Sequence, residues 1–300
     1  MVWAALATVY VVWGSVYLGI RVMVETVPPL LGGGLRFVIA GAAFLGVLRL
    51  ASGAARVRVK ARELAGAGVM GVLLPLGGNG LVLLAEQKVP SGLAALIVGC
   101  VPLWVALMRR AHGEALPLTT LGGVLIGFAG LAILVLPGDR PGNAPIWGVL
   151  LLVGASLSWA VGSFYSGRIP QPADAFAAAA WQMLLGGALL VAAGLLAGEA
   201  GDVQLADLSV RSLVAFAYLV AVAIVGFSAY VWLLRNAPIS MVATYAFVNP
   251  VIAIFLGWAV LSEEVTPTTA VGAAIIVASV ASVVRREAGG VAEPEPTQAR

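Results

Sequence analysis

Long apolar stretches alternate with short polar ones along almost the whole chain. An α-helix needs about 20 mostly apolar residues to cross the hydrocarbon core of a bilayer. Stretches of that length predict ten membrane-spanning helices, so the predicted fold class is an all-α integral membrane protein. The predicted spans are residues 2–22, 30–50, 63–85, 91–110, 118–136, 146–167, 174–197, 211–234, 241–261 and 267–285.

The composition fits a chain that lies largely within a bilayer. Apolar residues make up 61% of the 300 residues and charged residues only 10%, and the mean hydropathy is +1.03. A soluble domain is nearer half apolar and a quarter charged. The net charge of +3 does not indicate nucleic acid, because the basic residues lie between the apolar stretches. We therefore expect a surrounding lipid bilayer and no nucleic-acid partner.

Residues that support catalysis or metal binding are scarce. Cys100 and His112 are the only cysteine and the only histidine. A single cysteine excludes an intrachain disulfide. One cysteine and one histidine leave almost no basis for a His/Cys metal cluster or a Cys/His catalytic pair. We therefore expect no metal site, no cofactor and no catalytic residue, and we do not expect an enzyme.

The distribution of basic residues predicts the orientation, because Lys and Arg are enriched in cytoplasmic loops. With ten spans, eleven basic residues fall on the side of the two termini and four on the other side, leaving out Arg36 within span 2 and Arg300 near the end. Both termini are therefore predicted to be cytoplasmic. The eleven are Arg49, Arg56, Arg58, Lys60, Arg62, Arg109, Arg110, Arg168, Arg235, Arg285 and Arg286; the four are Arg21, Lys88, Arg140 and Arg211.

The two halves of the chain align at an offset of 148 residues. The sequence Gly-Ser-x-Tyr at 14–17 recurs at 162–165, and Pro102 aligns with Pro250. A unit of five spans that is repeated directly must cross the membrane in opposite senses, as in inverted-repeat transporters. We predict two inverted five-helix repeats and a substrate site near mid-membrane. The predicted domains are 1–137 (first repeat), 138–145 (outer linker), 146–286 (second repeat) and 287–300 (disordered cytoplasmic tail).

Helix-breaking residues mark three spans. Pro102 and Pro250 occupy matched positions near the middle of spans 4 and 9, where proline kinks or opens a helix. They indicate either the substrate cavity, where opened backbone is tolerated, or simple packing kinks. Span 3 contains Pro-Leu-Gly-Gly-Asn-Gly at 75–80. Asn79 there either lines a cavity or bonds a neighbouring helix in a closely packed segment.

Aromatic and amide side chains supply the other candidates for the cavity. Asn249 is the most specific, because its amide lies beside the backbone gap that Pro250 creates, and Tyr245 lies one turn earlier on the same face. Each of these residues can equally serve as an interfacial anchor or a packing group. Besides Asn79 and the two prolines, the predicted cavity residues are Trp13, Ser15, Tyr17, Trp159, Ser163, Tyr165, Gln182, Tyr230, Tyr245 and Asn249.

Arg36 and Glu86 form a candidate gate or charge pair. Arg36 lies six residues into span 2, where a charge is costly unless it pairs or reaches the interface. It is either a structural arginine that extends to the surface, or a partner of Glu86 or of a solute carboxylate. No Asp or Glu lies near the middle of any predicted span, which argues against a pump specific for lipophilic cations.

Several short motifs, in order, resemble the two EamA domains of the drug/metabolite transporter superfamily. In the first half they are Trp13-Gly14-Ser15-x-Tyr17, Leu35-Arg36-Phe37, Gly78-Asn79-Gly80, Ala85-Glu86 and Val89-Pro90-Ser91-Gly92; in the second half they are Trp159-Ala160-x-Gly162-Ser163 and Thr244-Tyr245-Ala246-Phe247-Val248-Asn249-Pro250. The resemblance covers residues 3–285 and implies ten helices in two inverted repeats. It also implies a central cavity built from helices 1, 3, 4, 6, 8 and 9.

This resemblance implies a secondary transporter in the cytoplasmic membrane. The expected activity is export of small amphipathic metabolites, such as amino-acid-like solutes or drugs, by alternating access. The alternative from a different class is a channel-like pore or a lipid scramblase, which would need a continuous polar path. The partner is a small-molecule substrate; a coupling proton or no coupling ion, and the oligomeric state, are left open by the sequence.

Overall fold

The fold was analysed in a computed structural model that describes residues 1–135, 143–201, 203–204, 206–237 and 244–289. Within these ranges every regular element is a helix. The predicted all-α class is therefore confirmed for this part of the chain. Some predicted segments lie outside the described ranges: residues 138–142 of the linker predicted at 138–145, the start of the predicted span 9 before residue 244, and the predicted tail beyond residue 289.

The helices follow one another with short connections. They are α1 (Val2–Met23), α2 (Pro29–Ser52), α3 (Ala61–Gly71), a π-helix (Val72–Gly80), α4 (Leu81–Ala85), α5 (Ser91–Val98), α6 (Val101–Ala111), α7 (Leu118–Val135), α8 (Ile146–Tyr165), α9 (Ala175–Leu196), α10 (Val210–Asn236), α11 (Tyr245–Leu261) and α12 (Pro267–Gly289). Two single-turn 3₁₀ helices, Ala54–Val57 and Glu199–Gly201, lie in the connections after α2 and α9.

Eight helical stretches in the described residues are long and apolar enough to cross a membrane. Two shorter apolar helices, Leu118–Leu134 and Tyr245–Leu261, occupy the positions of the predicted spans 5 and 9. The eight are Val2–Met23, Pro29–Ser52, Ala61–Ala85, Ser91–Ala111, Ile146–Tyr165, Ala175–Leu196, Val210–Tyr230 and Pro267–Arg285. By length and composition the chain is thus a multi-pass membrane protein.

The third span is continuous but changes its helical type in the middle. The π-helix Val72–Gly80 coincides with the predicted breaker segment and contains Pro75. Proline has no backbone N–H, so one carbonyl of the preceding turn loses its usual partner. Ser158 on α8 donates its hydroxyl to the Leu73 carbonyl at 2.8 Å, which satisfies one backbone acceptor of this irregular segment. The irregularity is therefore stabilised by contact with α8.

The two matched prolines have different local structures. Pro102 lies in the first turn of α6, directly after a break at Gly99 and Cys100 that separates α5 from α6. A proline in the first turn costs little, because that N–H has no partner within the helix. Pro250 is buried inside α11, which continues past it. A Cβ on Gly99 would lie 3.0 Å from the Pro250 ring, so the break in one span faces the proline of the other.

Helices α2 and α9 approach each other through glycines. A Cβ on Gly34 would lie 2.6 Å from the Val191 backbone nitrogen, and a Cβ on Gly41 would lie 2.8 Å from the Ala180 carbonyl oxygen. Small residues let helix backbones come this close within a membrane. Beyond α9, Glu199 accepts hydrogen bonds from the Leu30 backbone nitrogen at 3.1 Å and from the adjacent nitrogen of residue 31, which caps α2. The pair is therefore joined along its length and at one end.

Candidate functional site

An aromatic cluster forms where α1, α10 and α11 meet. The ring centroid of Trp13 lies 4.9 Å from that of Tyr230 and 4.8 Å from that of Tyr245. The Tyr230 and Tyr245 centroids are 6.0 Å apart with nearly perpendicular planes. Edge-to-face arrangements of this kind are favourable aromatic contacts. Three of the predicted cavity residues, which are far apart in the sequence, are thus brought together; we call them the Trp13 cluster.

Asn249 lies one turn beyond Tyr245 on α11. Its side chain is buried, with 9% exposure, and its Oδ1 atom has no hydrogen-bond partner among the described residues. A Cβ on Gly14 would lie 3.5 Å from the Asn249 carbonyl oxygen, so α1 passes directly over this turn. A buried amide oxygen without a partner is unfavourable by roughly 1–3 kcal/mol. Asn249 therefore offers an acceptor that the protein itself does not use.

Two polar residues of α1, Ser15 and Tyr17, differ in their contacts. Ser15 is buried, and its hydroxyl contacts the Tyr218 hydroxyl on α10 at 2.5 Å as well as carbonyls of its own helix. Its hydrogen-bonding capacity is used in holding α1 to α10. Tyr17 is half-buried and lies within electrostatic range of Tyr245 and Glu86.

Arg36 is almost fully buried and bonds Asn79. Its exposure is 3%, and its Nη2 atom donates to the Asn79 Oδ1 atom at 3.0 Å. The guanidinium also lies over the Phe37 ring at 4.4 Å, while its Nε atom has no hydrogen-bond partner in the described structure. The Nδ2 atom of Asn79 donates to the Leu74 carbonyl at 3.4 Å. Asn79 thus ties the π-helix to α2 through the arginine.

Glu86 follows α4 and is fully buried, with 0% exposure. Neither of its carboxylate oxygens has a hydrogen-bond partner among the described residues. Arg21 donates to the backbone carbonyl of Glu86, not to its side chain. Arg36 is within electrostatic range of Glu86, but the two form no ion pair within the described structure. The predicted pair is therefore close in space without direct contact.

The remaining predicted cavity residues lie away from the Trp13 cluster. Trp159 on α8 packs against the π-helix, and a Cβ on Gly78 would lie 2.6 Å from its ring. Ser163 is exposed near the end of α8. The Tyr165 hydroxyl contacts the His112 Nε2 atom at 3.0 Å at the same end. Gln182 donates to the side chain of Gln171, in the loop before α9.

An ion pair and a helix cap also lie in this loop region. Asp174 accepts a hydrogen bond from the Ala177 backbone nitrogen at 2.9 Å, which caps α9, and lies 2.8 Å from the Arg56 Nε atom. Burial alone would raise the pKa of Asp174, but the Ala177 hydrogen bond and the charge and hydrogen bond of Arg56 together lower the pKa below its usual range. Asp174 is therefore ionised at neutral pH and serves the structure here.

Glu263 joins the end of α11 to the start of α5. Its carboxylate accepts from the Ser91 backbone nitrogen at 2.8 Å, the Ser91 hydroxyl at 3.0 Å and the Gly92 backbone nitrogen at 3.2 Å. The chain turns toward α5 at Ser262, which has a positive φ of 54°, uncommon outside glycine. A negative charge at a helix N-terminus is favourable, because unpaired backbone N–H groups point toward it. We call these contacts the Glu263 latch.

A pocket of about 490 Å³ opens at the same end of the molecule. Most of the residues that line it are charged. Among them, the Arg211 Nη1 atom lies 3.9 Å from the Glu25 Oε2 atom. We call this end the Glu263 face. The charged residues that line the pocket are Arg21, Glu25, Lys88, Arg211, Glu263 and Glu264.

Three contacts that assemble the site do not follow from the sequence analysis. They are the bonds from Glu263 to the start of α5, the contact of Tyr218 with Ser15, and the hydrogen bond between Tyr10 and Thr244. The first has a usable signal: the repeat makes spans 4 and 9 equivalent, so they are expected to be neighbours, and an acidic residue after one can then cap the other. The other two depend on helix rotation, which the sequence does not specify. No group of three or more His, Cys, Asp or Glu side chains able to hold a metal ion occurs in the described residues.

Comparisons with known proteins agree with this architecture. Residues 1–136 and 146–285 each match the model of the EamA-like transporter family. The "Uncharacterized inner membrane transporter YedA" of Escherichia coli K12 is 37% identical over 282 residues, which are 93% of this chain and 89% of YedA. The "Probable amino-acid metabolite efflux pump" of Salmonella typhimurium LT2 is 26% identical over 279 residues, 90% of each chain.

A solved structure, described only as a crystal structure of a protein, has the same fold. It superposes with a TM-score of 0.64 at 20% identity and covers 93% of this chain and 96% of its own. The family model matches both halves, and the identity to an inner membrane transporter extends over nearly all of the chain. The chain therefore belongs to the EamA-like transporter family and is a multi-pass transporter of the cytoplasmic membrane, not an enzyme.

Proposed function

We propose that this transporter exports small amphipathic solutes, with amino-acid-like molecules as the first class to test. The observation that carries the proposal is the Trp13 cluster next to the unused acceptor Oδ1 of Asn249. Aromatic faces with a few fixed polar groups are typical of small-molecule sites. The name of the Salmonella relative, an amino-acid metabolite efflux pump, supports the same class.

The proposed architecture is ten spans in two inverted five-helix repeats with both termini in the cytoplasm. Two matched contacts support it. Trp13 packs against Gly226 in the second half, and Trp159 packs against Gly78 in the first half. Gly78 and Gly226 are 148 residues apart, the offset at which the two halves align. Each half thus packs a tryptophan against the matched glycine of the other half. Trp13 and Trp159 are 146 residues apart, two residues short of the offset, so the two contacts are similar in kind but not in exact register.

The arrangement of neighbouring helices follows the same relation. Helix α1 packs on α10 and α11, while α8 packs on the third span and on α5 and α6. In a ten-span repeat, these are span 1 on spans 8 and 9, and span 6 on spans 3 and 4. We further propose domain boundaries at 1–137 and 146–286, and place the Glu263 face outside the cell because the predicted cytoplasmic side carries more basic residues.

In the proposed cycle, the two halves move against each other so that the site opens in turn to each side of the membrane. The break before Pro102 and the buried Pro250 contact each other across Gly99, so spans 4 and 9 can bend where they meet. The Glu263 latch holds the ends of these spans together at the Glu263 face. We take the conformation described here to be the one in which the Glu263 latch closes this face.

Transport by reconstituted protein tests the proposal. Purified protein in liposomes is assayed for counterflow of labelled amino acids and amphipathic drugs, with Trp13→Ala as the site variant. Trp147→Ala, which removes an exposed tryptophan of α8, is the matched control. We expect the wild type and the control to exchange at least one amino-acid-like solute, and Trp13→Ala to lose about tenfold or more in apparent affinity.

Two outcomes contradict the proposal. One is the absence of exchange for every solute in the panel while a related permease is active in parallel. The other is lipid scrambling or gradient-independent leakage by the same liposomes, which identifies a scramblase or a channel-like pore. If Trp13→Ala and Trp147→Ala lose apparent solute affinity equally, the loss is an effect on folding, and the Trp13 cluster is not part of the solute site.

A further inference from the structure

Glu86 is a buried carboxyl group that the fold does not satisfy. Its side chain has no exposed surface, and both oxygens lack hydrogen-bond partners in the described residues. An ionised carboxylate buried without hydrogen bonds is unfavourable by several kcal/mol, whereas the neutral acid is much less so. The charges of Arg21 and Arg36 offset only part of this cost, because neither guanidinium bonds the carboxylate: Arg21 donates to the Glu86 backbone carbonyl and Arg36 donates to Asn79.

The ionisable groups that face Glu86 come from three elements. Tyr17 and Arg21 lie on α1, Arg36 lies on α2, and Glu263 follows α11. Two are positive and one is negative, so their charges partly cancel at Glu86. The first three turns of α8, residues 146–157, pack near α4 and carry no ionisable side chain, and neither does α5. Lys88, two residues on, is exposed.

Glu86 is therefore close to the carboxylate that closes the Glu263 face. Glu263 uses both oxygens to cap α5 and lines the pocket at that end of the molecule. A negative charge on Glu86 would repel Glu263 and weaken the Glu263 latch. A neutral Glu86 leaves the latch undisturbed, which is the arrangement that the closed conformation requires.

We propose that Glu86 is a proton-binding site whose occupancy is linked to closure of the Glu263 face. The carboxyl group holds a proton while the Glu263 latch is formed and releases it to water on that side when the latch opens. An O–H bond forms on Glu86 at closure and breaks at opening, with the proton exchanged directly with the solution. The inference rests on the proposed alternating access, since it requires that this face opens.

Linkage fixes the direction of the effect. Because the open conformation exposes Glu86 to water and binds the proton less tightly, raising the pH favours opening. With one proton involved, the open-to-closed ratio rises at most about tenfold per pH unit. Glu86→Gln keeps the shape and stays neutral, so this variant is expected to remain closed at every pH.

The experiment measures the distance across the latch in liposomes without any solute. Spin labels are placed at Gln87→Cys and Val265→Cys, both exposed, after the buried Cys100 is replaced by alanine. Distances are recorded by double electron–electron resonance from about pH 5 to about pH 9, a range that covers carboxyl groups shifted by burial. Glu264→Gln, which neutralises the adjacent pocket carboxylate, is the matched control.

We expect a longer distance at high pH in the wild type and in Glu264→Gln, and a short, pH-independent distance in Glu86→Gln. An unchanged pH dependence in Glu86→Gln, or no pH dependence in the wild type, overturns the proposal. If Glu86→Gln does not fold, infrared difference spectra of the wild type between the two pH limits decide: a protonated carboxyl band must disappear as the long distance appears.

The two proposals fail separately. If solute exchange is observed but the distance between the spin labels does not depend on pH, only the proposed proton site is rejected. A pH-dependent distance without exchange of any solute retains the proton site and removes the proposed substrate class.

Discussion

At the scale of single residues, the buried polar atoms without partners are the most informative feature. Native proteins pair nearly all buried polar groups, so each exception asks for a reason. In the described residues the side chains concerned include those of Arg36, Glu86 and Asn249. They lie on α2, after α4 and on α11, close to the prolines, the π-helix and the Glu263 latch. Trp104 on α6 and Ser156 on α8 also carry one such atom each, so three of the five side chains concerned lie near the parts of the fold that we propose to move or to bind solute.

Asn249 gives a prediction at this scale. Asn249→Ala removes the free acceptor, so a solute that uses it loses one hydrogen bond, worth about 1 kcal/mol or slightly more. We expect the apparent solute affinity in counterflow to fall about five- to tenfold while thermal stability is retained, because the protein loses no internal bond through Oδ1. Asn236→Ala, at an exposed asparagine whose amide donates to the Trp232 carbonyl of its own helix, is the control. A loss of stability without a change of affinity would make Asn249 a packing residue.

At the scale of helices, glycine positions decide how closely the elements approach. Gly34 and Gly41 of α2 face the backbone of α9, whereas a Cβ on Gly46, further along α2, would have no neighbouring atom within 4 Å. A larger residue is therefore expected to be tolerated at position 46 but not at positions 34 and 41 of the same helix. Burial of the backbone, and not helix propensity, determines which glycine is required.

Gly34→Val tests this packing. The added side chain would clash with the α9 backbone, which cannot rotate away, and overpacking of this kind costs typically about 1–3 kcal/mol. We expect a clear fall in melting temperature in detergent for Gly34→Val and little change for Gly46→Val. Equal melting temperatures for the two variants would mean that α2 and α9 are not in backbone contact.

The sequence predicts much at this scale, and its failures have physical causes. Apolar length places the described ends of the long helical stretches to within a few residues, and the predicted breaker segment at 75–80 lies in the π-helix. Matched prolines are expected to act alike, yet Pro102 follows a break and Pro250 lies in a continuous helix. The break ends at Cys100, so Pro102 falls in the first turn of the next helix, whereas Pro250 falls in the interior of one. Among site residues, the Trp13 cluster needs the packing of three helices, which periodicity alone cannot supply.

At the scale of the whole molecule, a charged side chain joins distant segments at one end. The Glu263 latch joins residues that are 172 positions apart in the sequence. Hydrogen bonds to a charged group are worth about 1.5–3 kcal/mol, more than neutral ones. A few such bonds are enough to set the balance between two conformations that differ by a few kcal/mol.

Glu263→Gln is therefore expected to alter the cycle more than the fold. The amide keeps one acceptor oxygen but loses the charge, so the closed conformation is weakened. We expect the ratio of closed to open conformation at the Glu263 face to fall about tenfold. The measurement is the rate at which a membrane-impermeant thiol reagent modifies Leu261→Cys in a Cys100→Ala background, and this rate should rise. Glu264→Gln should leave the rate of modification unchanged. An unchanged rate in Glu263→Gln would show that other contacts keep this face closed.

The glycine contact between α2 and α9 has a further consequence for how the two halves assemble. Joining helices through long side chains freezes their rotamers, at about 0.5–2 kcal/mol for each larger side chain. Glycine has no rotamers to lose, so the close contacts at Gly34, Gly41 and Gly187 order almost no side-chain torsions. At these glycine positions α2 and α9 therefore come together with little loss of side-chain conformational entropy, and the attraction between the two backbones is retained almost in full.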